Sequence, residues 1–309
     1  MADSRPLVWL PFDPGELGSV PEGLRCEEVQ PTAEEVPPGA DEVEFYVPSY
    51  GVGAGQRDVL AAMSRLRVVQ TLTAGVDNIR GEVPDGVVLC NGRGIHNAST
   101  AELAVTLALA SLRGVPGFVE DQRAGRWGHD WRRSLADSTV LIVGYGDIGR
   151  DVERRLEPFE VEVLRVARTA REGVGSLADL PELLPRADVV VLVLPGTSET
   201  RGLVDAGFLG RMRDGALLVN VGRGSVVATD DLVEALHSER IWAALDVTDP
   251  EPLPAGHALW SAPHLLLTPH VGGATPAMWP RAHRLVREQL ERYAVSGPDD
   301  LANVVTGEY

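Results

Sequence analysis

The sequence contains no lysine: all 28 of its basic residues are arginine. Schiff-base chemistry and a lysine general base are thereby excluded. Cysteine is almost as scarce. Only Cys26 and Cys90 are present, without metal-site spacing, and they suit a reducing cytoplasm as small buried thiols. Long apolar runs are missing too; stretches such as Val189 to Leu194 are far too short to cross a bilayer. The opening Met-Ala-Asp-Ser-Arg-Pro has neither the basic nor the apolar region of a signal peptide, so a cytoplasmic location is expected. Positive charge is in deficit, with a net charge of −17 at pH 7. An acidic surface repels phosphate backbones and anionic membranes, which argues against nucleic acid and membrane partners. Any anionic ligand then needs its own local arginines.

What is present is a globular chain of 309 residues, 44% hydrophobic and 24% charged, too long for one ordinary core. Strands are expected near 7–12, 43–47, 66–72 and 87–90, with a helix over 56–63. Residues 13–42 carry little regular signal, and the glycine-rich run 50–55 reads as a loop. A long apolar helix is expected over 99–112, with Ser99 or Thr100 as cap and Glu102 as capping-box partner. A second series places strands near 140–143, 161–166, 189–194, 216–220, 242–247 and 265–268. Helices over 150–158, 177–184, 205–212 and 230–238 alternate with them, and an amphipathic helix over 281–293 closes the chain and packs back on the first domain. Alternation of this kind implies an α/β fold with parallel, doubly wound sheets. Trp127 and Trp131 stand in a polar, arginine-rich segment that reads as an interface, a lid or an arm packed on its own domain.

The stretch Gly144-Tyr145-Gly146-Asp147-Ile148-Gly149 has G-x-G-x-x-G spacing between an apolar strand and a helix. Gly144 can make the tight turn, Gly146 can admit a pyrophosphate to the backbone, and Gly149 can bring helix and strand close. The same pattern also occurs as a plain turn, so its surroundings decide. In open parallel sheets, ligands sit at the carboxyl ends of strands. Three later strand ends carry suitable chemistry: Val221-Gly222-Arg223-Gly224, Asp246 with the turn to Glu251, and Pro269-His270-Val271-Gly272. Arg223 can grip a carboxylate bidentately. His270 can move a proton near neutral pH, and Glu251 can orient its ring. With hydride from a dinucleotide, this set suits reduction of a 2-keto acid to a 2-hydroxy acid.

These motifs, with Thr73-Ala74-Gly75-Val76-Asp77-Asn78, Leu194-Pro195 through Thr200 and Leu245-Asp246-Val247, resemble the D-isomer-specific 2-hydroxyacid dehydrogenases from about residue 66 onward. The resemblance implies two Rossmann-like domains, the substrate domain being discontinuous: 1–97 with 280–309, around a dinucleotide-binding domain at 98–279. It implies Arg223, Glu251 and His270 as catalytic residues. It also implies a substrate carboxylate held by the backbone of Ala74, Gly75 and Val76 together with Arg223. Asp246 would bind the nicotinamide carboxamide. Pro195, Thr200, Val221, Gly222 and Gly272 would border the cofactor, and no metal is implied. A homodimer built on the cofactor domain is the family's usual state. Formate dehydrogenases carry glutamine at the place of Glu251, and phosphite dehydrogenases lysine at the place of Ala74, so both differ from this chain. Arg93 and His96 fit either a substrate contact or a surface turn, and Trp279 is a further candidate for the pocket.

The ribose-binding acid should follow the strand 161–166, but Ala167-Arg168-Thr169-Ala170-Arg171 stands there. Arg168 and Thr169 suit a 2′-phosphate, which favours NADP, with NAD the other possibility. The expected activity is an NADPH-dependent reduction of a small 2-keto acid such as glyoxylate or hydroxypyruvate. A cofactor-sensing scaffold of the same fold with little turnover is the alternative.

Overall fold

In a computed structural model, which describes residues 4–31, 35–51 and 55–307, the chain divides into two compact units. One comprises 1–96 with 276–309, the other 97–275. The second crossing falls four residues before the expected 279/280. The reason is that the last helix begins at Met278, whose side chain is buried in the first unit's core.

The first unit contains strands β1 (Leu7–Leu10), β2 (Arg25–Glu28), β3 (Val43–Tyr46), β4 (Val68–Gln70) and β5 (Val88–Cys90), with helix α1 (Arg57–Ala62) before β4. All five strands are parallel, in the order β2-β1-β3-β4-β5. β2 lies within the region read as irregular. Its Arg-Cys-Glu-Glu sequence has no apolar alternation, because an edge strand is only partly covered. Elsewhere the period of two is plain. Val8, Leu10, Phe45 and Val68 enter one core, while Leu7, Trp9, Tyr46 and Val69 enter the other. Residues 52–54 of the glycine-rich run lie outside the described residues.

The second unit begins with α2 (Asn97–Leu112) and α3 (Val115–Arg123). It continues β6 (Thr139–Val143), α4 (Asp147–Leu156), β7 (Glu162–Val166), α5 (Leu180–Leu183), β8 (Val189–Leu192), α6 (Ala206–Arg211), β9 (Leu217–Asn220), α7 (Thr229–His237), β10 (Trp242–Leu245) and β11 (Leu265–Leu267). Its six strands are parallel in the order β11-β10-β9-β8-β6-β7, so the winding direction reverses at β6. Each strand again feeds two cores. Val140, Ile142, Val191 and Val219 meet α2 and α4, while Leu141, Val190 and Leu218 meet α6 and α7. Each such side chain contributes about 1.5–3 kcal/mol by burial.

Several local expectations are corrected here. α2 starts at Asn97, so Ser99 and Thr100 lie buried inside it rather than capping it, and Ser99 Oγ is 2.7 Å from Thr275 Oγ1. α3 lies where no helix was expected. Its Val-Pro-Gly start reads as a break, but proline is tolerated in a first helical turn. The helix expected at 150 begins at Asp147, within the glycine motif and directly after Gly146. The helix expected over 177–184 is split into α5 and flanking 3-10 turns, because Pro181 and Pro185 remove amide donors.

The final helix, α8 (Met278–Ser296), presents Met278, Ala282, Val286, Leu290 and Tyr293 to the first unit's core beside Val8, Leu10 and Phe45. That spacing is one helical face. Among the described residues no single helix is long and apolar enough to cross a membrane.

Candidate active site

β6 runs into Gly144, which adopts φ +107°, a conformation that favours glycine. A Cβ there would lie 2.4 Å from the Val193 carbonyl oxygen, so the ends of β6 and β8 touch at the point where the winding reverses. On the other side, the amides of Gly144 and Tyr145 both donate to the Val166 carbonyl at 2.9 Å. Gly146 is different. It is exposed, has φ −92°, and has nothing within 4 Å of where a Cβ would stand. No internal packing requires glycine at that place. Open space before the first turn of α4, whose N–H groups lack intrahelical acceptors, fits a pyrophosphate.

β9 ends at Asn220, which is fully buried. Its Oδ1 accepts from Gly222 N and its Nδ2 donates to the Arg223 carbonyl, each at 3.0 Å. These bonds set the bend that carries Arg223, a role unassigned from the sequence. The available signal is a polar residue closing an otherwise apolar strand. A Cβ on Gly224 would lie 2.0 Å from the Thr248 carbonyl oxygen, so this loop lies against the one leading to Glu251. Arg223 Nη1 donates to the Gly222 carbonyl at 2.9 Å.

Asp246 follows β10 and is 2% exposed. Its Oδ1 accepts from Thr268 Oγ1 at 2.6 Å and Val271 N at 2.9 Å, and its Oδ2 from Gly272 N at 2.8 Å. The carboxylate therefore clasps the segment after β11. His270 lies in that segment with φ +53°, which costs about 1–2 kcal/mol for a residue with a Cβ. Its amide donates to the carbonyls of Asp246 at 2.7 Å and Thr268 at 3.1 Å, which helps offset that cost. The ring meets Glu251, with Nδ1 to Oε1 at 2.5 Å. A carboxylate acceptor there places the ring hydrogen on Nδ1 and leaves Nε2 for a reactant. Both side chains remain accessible, 46% and 41% exposed.

After β8, Thr200 is buried. Its hydroxyl donates to the Pro195 carbonyl at 2.6 Å and accepts from Thr197 N at 2.9 Å, so it shapes the loop of Pro195. Val221 is buried, and its amide donates to the Leu192 carbonyl at 3.2 Å. After β7, Arg168 and Thr169 are exposed, and Arg171 Nη2 donates to the Tyr145 carbonyl at 2.7 Å.

In the first unit, the loop after β4 is tied through consecutive carbonyls. The Thr73 carbonyl accepts from Gly92 N at 2.7 Å, that of Ala74 from Asn91 Nδ2 at 3.0 Å, and that of Gly75 from Thr73 Oγ1 at 2.7 Å. These ties fix the backbone of the loop that carries Ala74, Gly75 and Val76.

Residues 105–272 match the family model "D-isomer specific 2-hydroxyacid dehydrogenase, NAD binding domain". The human glyoxylate reductase/hydroxypyruvate reductase is 36% identical over 230 residues, 70% of each chain. The chain belongs to the D-isomer-specific 2-hydroxyacid dehydrogenase family. Among solved structures, the Xanthobacter autotrophicus family member in complex with NADPH and MES superposes with TM-score 0.80. It is 30% identical and covers 98% of both chains. The Sinorhizobium meliloti NADPH-dependent glyoxylate/hydroxypyruvate reductase, in complex with NADP and malonate, gives TM-score 0.79 at 29% identity, over 98% of this chain and 97% of that one.

This dehydrogenase is thus an NAD(P)-dependent oxidoreductase of small 2-keto and 2-hydroxy acids. Its own residues supply a histidine oriented by a carboxylate, and an arginine on the strand-end loop that lies against the one leading to that carboxylate. Two surface readings change. Trp127 and Trp131 are 94% and 91% exposed, so they do not pack on their own unit. His96 is buried, with Nε2 2.8 Å from the Leu72 carbonyl, so it is no surface residue; Arg93 is exposed. Trp279 stands edge-on to Phe12 at 6.5 Å within the first unit.

Proposed function

We propose that this dehydrogenase reduces glyoxylate or hydroxypyruvate with NADPH, in the cytoplasm and as a homodimer. The observation that carries the choice of cofactor is the end of β7, where Arg168, Thr169 and Arg171 stand and no carboxylate occurs from 167 to 171. A ribose 2′-hydroxyl is normally held by an acid at that place, and a 2′-phosphate by arginine. The pyrophosphate lies on the turn Gly144 to Gly149. Pro195, Val221, Gly222 and Gly272 border the dinucleotide, and Thr200 acts through the loop it shapes. Three of the roughly four acceptor sites of Asp246 are used internally, which leaves one for a carboxamide. When bound, the nicotinamide supplies hydride.

The remaining chemistry belongs to the chain. Arg223 binds the substrate carboxylate, assisted by the amides of Ala74, Gly75 and Val76. His270 delivers a proton from Nε2 to the carbonyl oxygen, while Glu251 keeps the Nδ1 hydrogen and the ring in place. The homodimer reading is supported by the two exposed tryptophans on the segment after α3, together with the exposed Val115 and Val119 on α3 itself.

A panel of 2-keto acids assayed separately with NADPH and NADH tests the proposal. Turnover of glyoxylate or hydroxypyruvate with NADPH preferred is expected, and Arg168→Ala should raise the KM for NADPH far more than for NADH. Preference for NADH by the unaltered enzyme refutes the cofactor assignment. His270→Ala should remove most turnover while cofactor binding persists.

A further inference from the structure

The second residue of the glycine turn is a tyrosine, and the function described so far does not use its side chain. Tyr145 donates its hydroxyl hydrogen to Glu153 on α4, and Glu153 is paired with Arg165 on β7, with Arg165 Nε to Glu153 Oε2 at 2.9 Å. The ring thus lies fixed between helix and strand. The Arg165 guanidinium carbon stands 5.8 Å from the ring centroid and that of Arg171 5.7 Å. Arg171 also donates Nη2 to the Tyr145 carbonyl. Its own backbone is equally fixed: Arg171 and Val174 exchange amide–carbonyl bonds at 2.9 and 2.8 Å, and Ala167 N donates to the Gly175 carbonyl at 2.9 Å.

We propose that Tyr145 is a positioning residue for cofactor selection, holding Arg171 against the glycine turn so that its guanidinium serves the 2′-phosphate. The inference rests on the NADPH reading given above. An arginine side chain has many rotamers, and fixing one beforehand removes an ordering cost from binding. The bond to the Tyr145 carbonyl uses one of five guanidinium donors and leaves a planar fork suited to phosphate. Glu153 and Arg165 support the arrangement through charge. Glu153 is held below the usual carboxylate range, chiefly by its bond from Arg165, and the Tyr145 hydroxyl is raised, chiefly by burial.

The test is calorimetric titration of the purified full-length protein with adenosine 2′,5′-bisphosphate and with adenosine 5′-monophosphate, alongside melting temperatures. The unaltered protein should prefer the bisphosphate. Arg171→Ala should weaken bisphosphate binding about 10- to 100-fold, as for loss of a charge-assisted bond, with the monophosphate unchanged. Tyr145→Leu, which removes the ring, should weaken it about two- to fivefold, the size of an exposed cation–π contact. Tyr145→Phe keeps the ring and should restore most of that loss. A parent protein without preference for the bisphosphate removes the NADPH reading and this inference with it. A parent that prefers the bisphosphate, together with a Tyr145→Leu variant of lowered melting temperature but unchanged affinity ratio, overturns this inference alone. In that case Tyr145 is structural only.

Discussion

Asp246→Asn is a nearly isosteric change at the point where the His270 segment is fastened. The carboxylate is 2% exposed and accepts three bonds, two on Oδ1 and one on Oδ2. Asparagine can present its oxygen to Thr268 Oγ1 and Val271 N, but its amide then faces the Gly272 N–H, donor against donor. One charge-assisted bond is lost and a buried donor left unpaired, which together cost about 2–4 kcal/mol. For a domain of this size that lowers Tm by about 5–15 °C. Differential scanning calorimetry reads the loss directly. Since Val271 and Gly272 follow His270 immediately, kcat should fall at least about tenfold, as for a misplaced proton donor, while the KM for the keto acid changes less. Thr268→Val serves as the graded control. It removes one donor and keeps both amide bonds, and should cost about 1 kcal/mol. The reasoning is refuted if Asp246→Asn melts within about 1 °C of the parent, or if Thr268→Val is the more damaging of the two.

Three further outcomes are expected. Glu153 has a lowered pKa in the folded protein, so its contribution is present above the unfolded carboxylate value and lost as pH falls through the folded one. Melting curves should therefore show Glu153→Gln less stable than the parent at pH 7 and the gap closing under strongly acidic conditions; a constant gap contradicts the assignment. Burial pushes the thiols of Cys26 and Cys90 up to about 11. At pH 8 only about one thiol in a thousand is then ionised, so an aromatic disulfide reagent should label the native protein far more slowly than the urea-unfolded chain. Equal rates would contradict this. Leu290 is fully buried under the first unit's sheet, so Leu290→Ala should cost about 2–5 kcal/mol in denaturant titrations, and a loss below about 1 kcal/mol would mean that α8 is not part of that core.

The strands were legible because most of the buried parallel strands are short apolar runs, and the face alternation within them is local. The glycine turn was legible for a similar reason: Gly144 and Gly149 are needed by contacts within a few residues or at the adjacent strand end. β2 escaped notice because its Arg-Cys-Glu-Glu sequence shows no such pattern, and the α2 cap was misplaced because Ser99 serves a distant threonine instead. Arg223, Glu251 and His270 were picked out by residue type at strand ends.

The bonds of Asp246, by contrast, reach across 22 to 26 residues, and the Tyr145–Arg171 contact also spans 26. The sequence by itself determined most of the elements and their order, and it singled out the side chains proposed to react, because periodicity and turn chemistry are short-range. Only the tertiary structure decided which polar groups hold those side chains in place, because strand order, not chain distance, makes them neighbours.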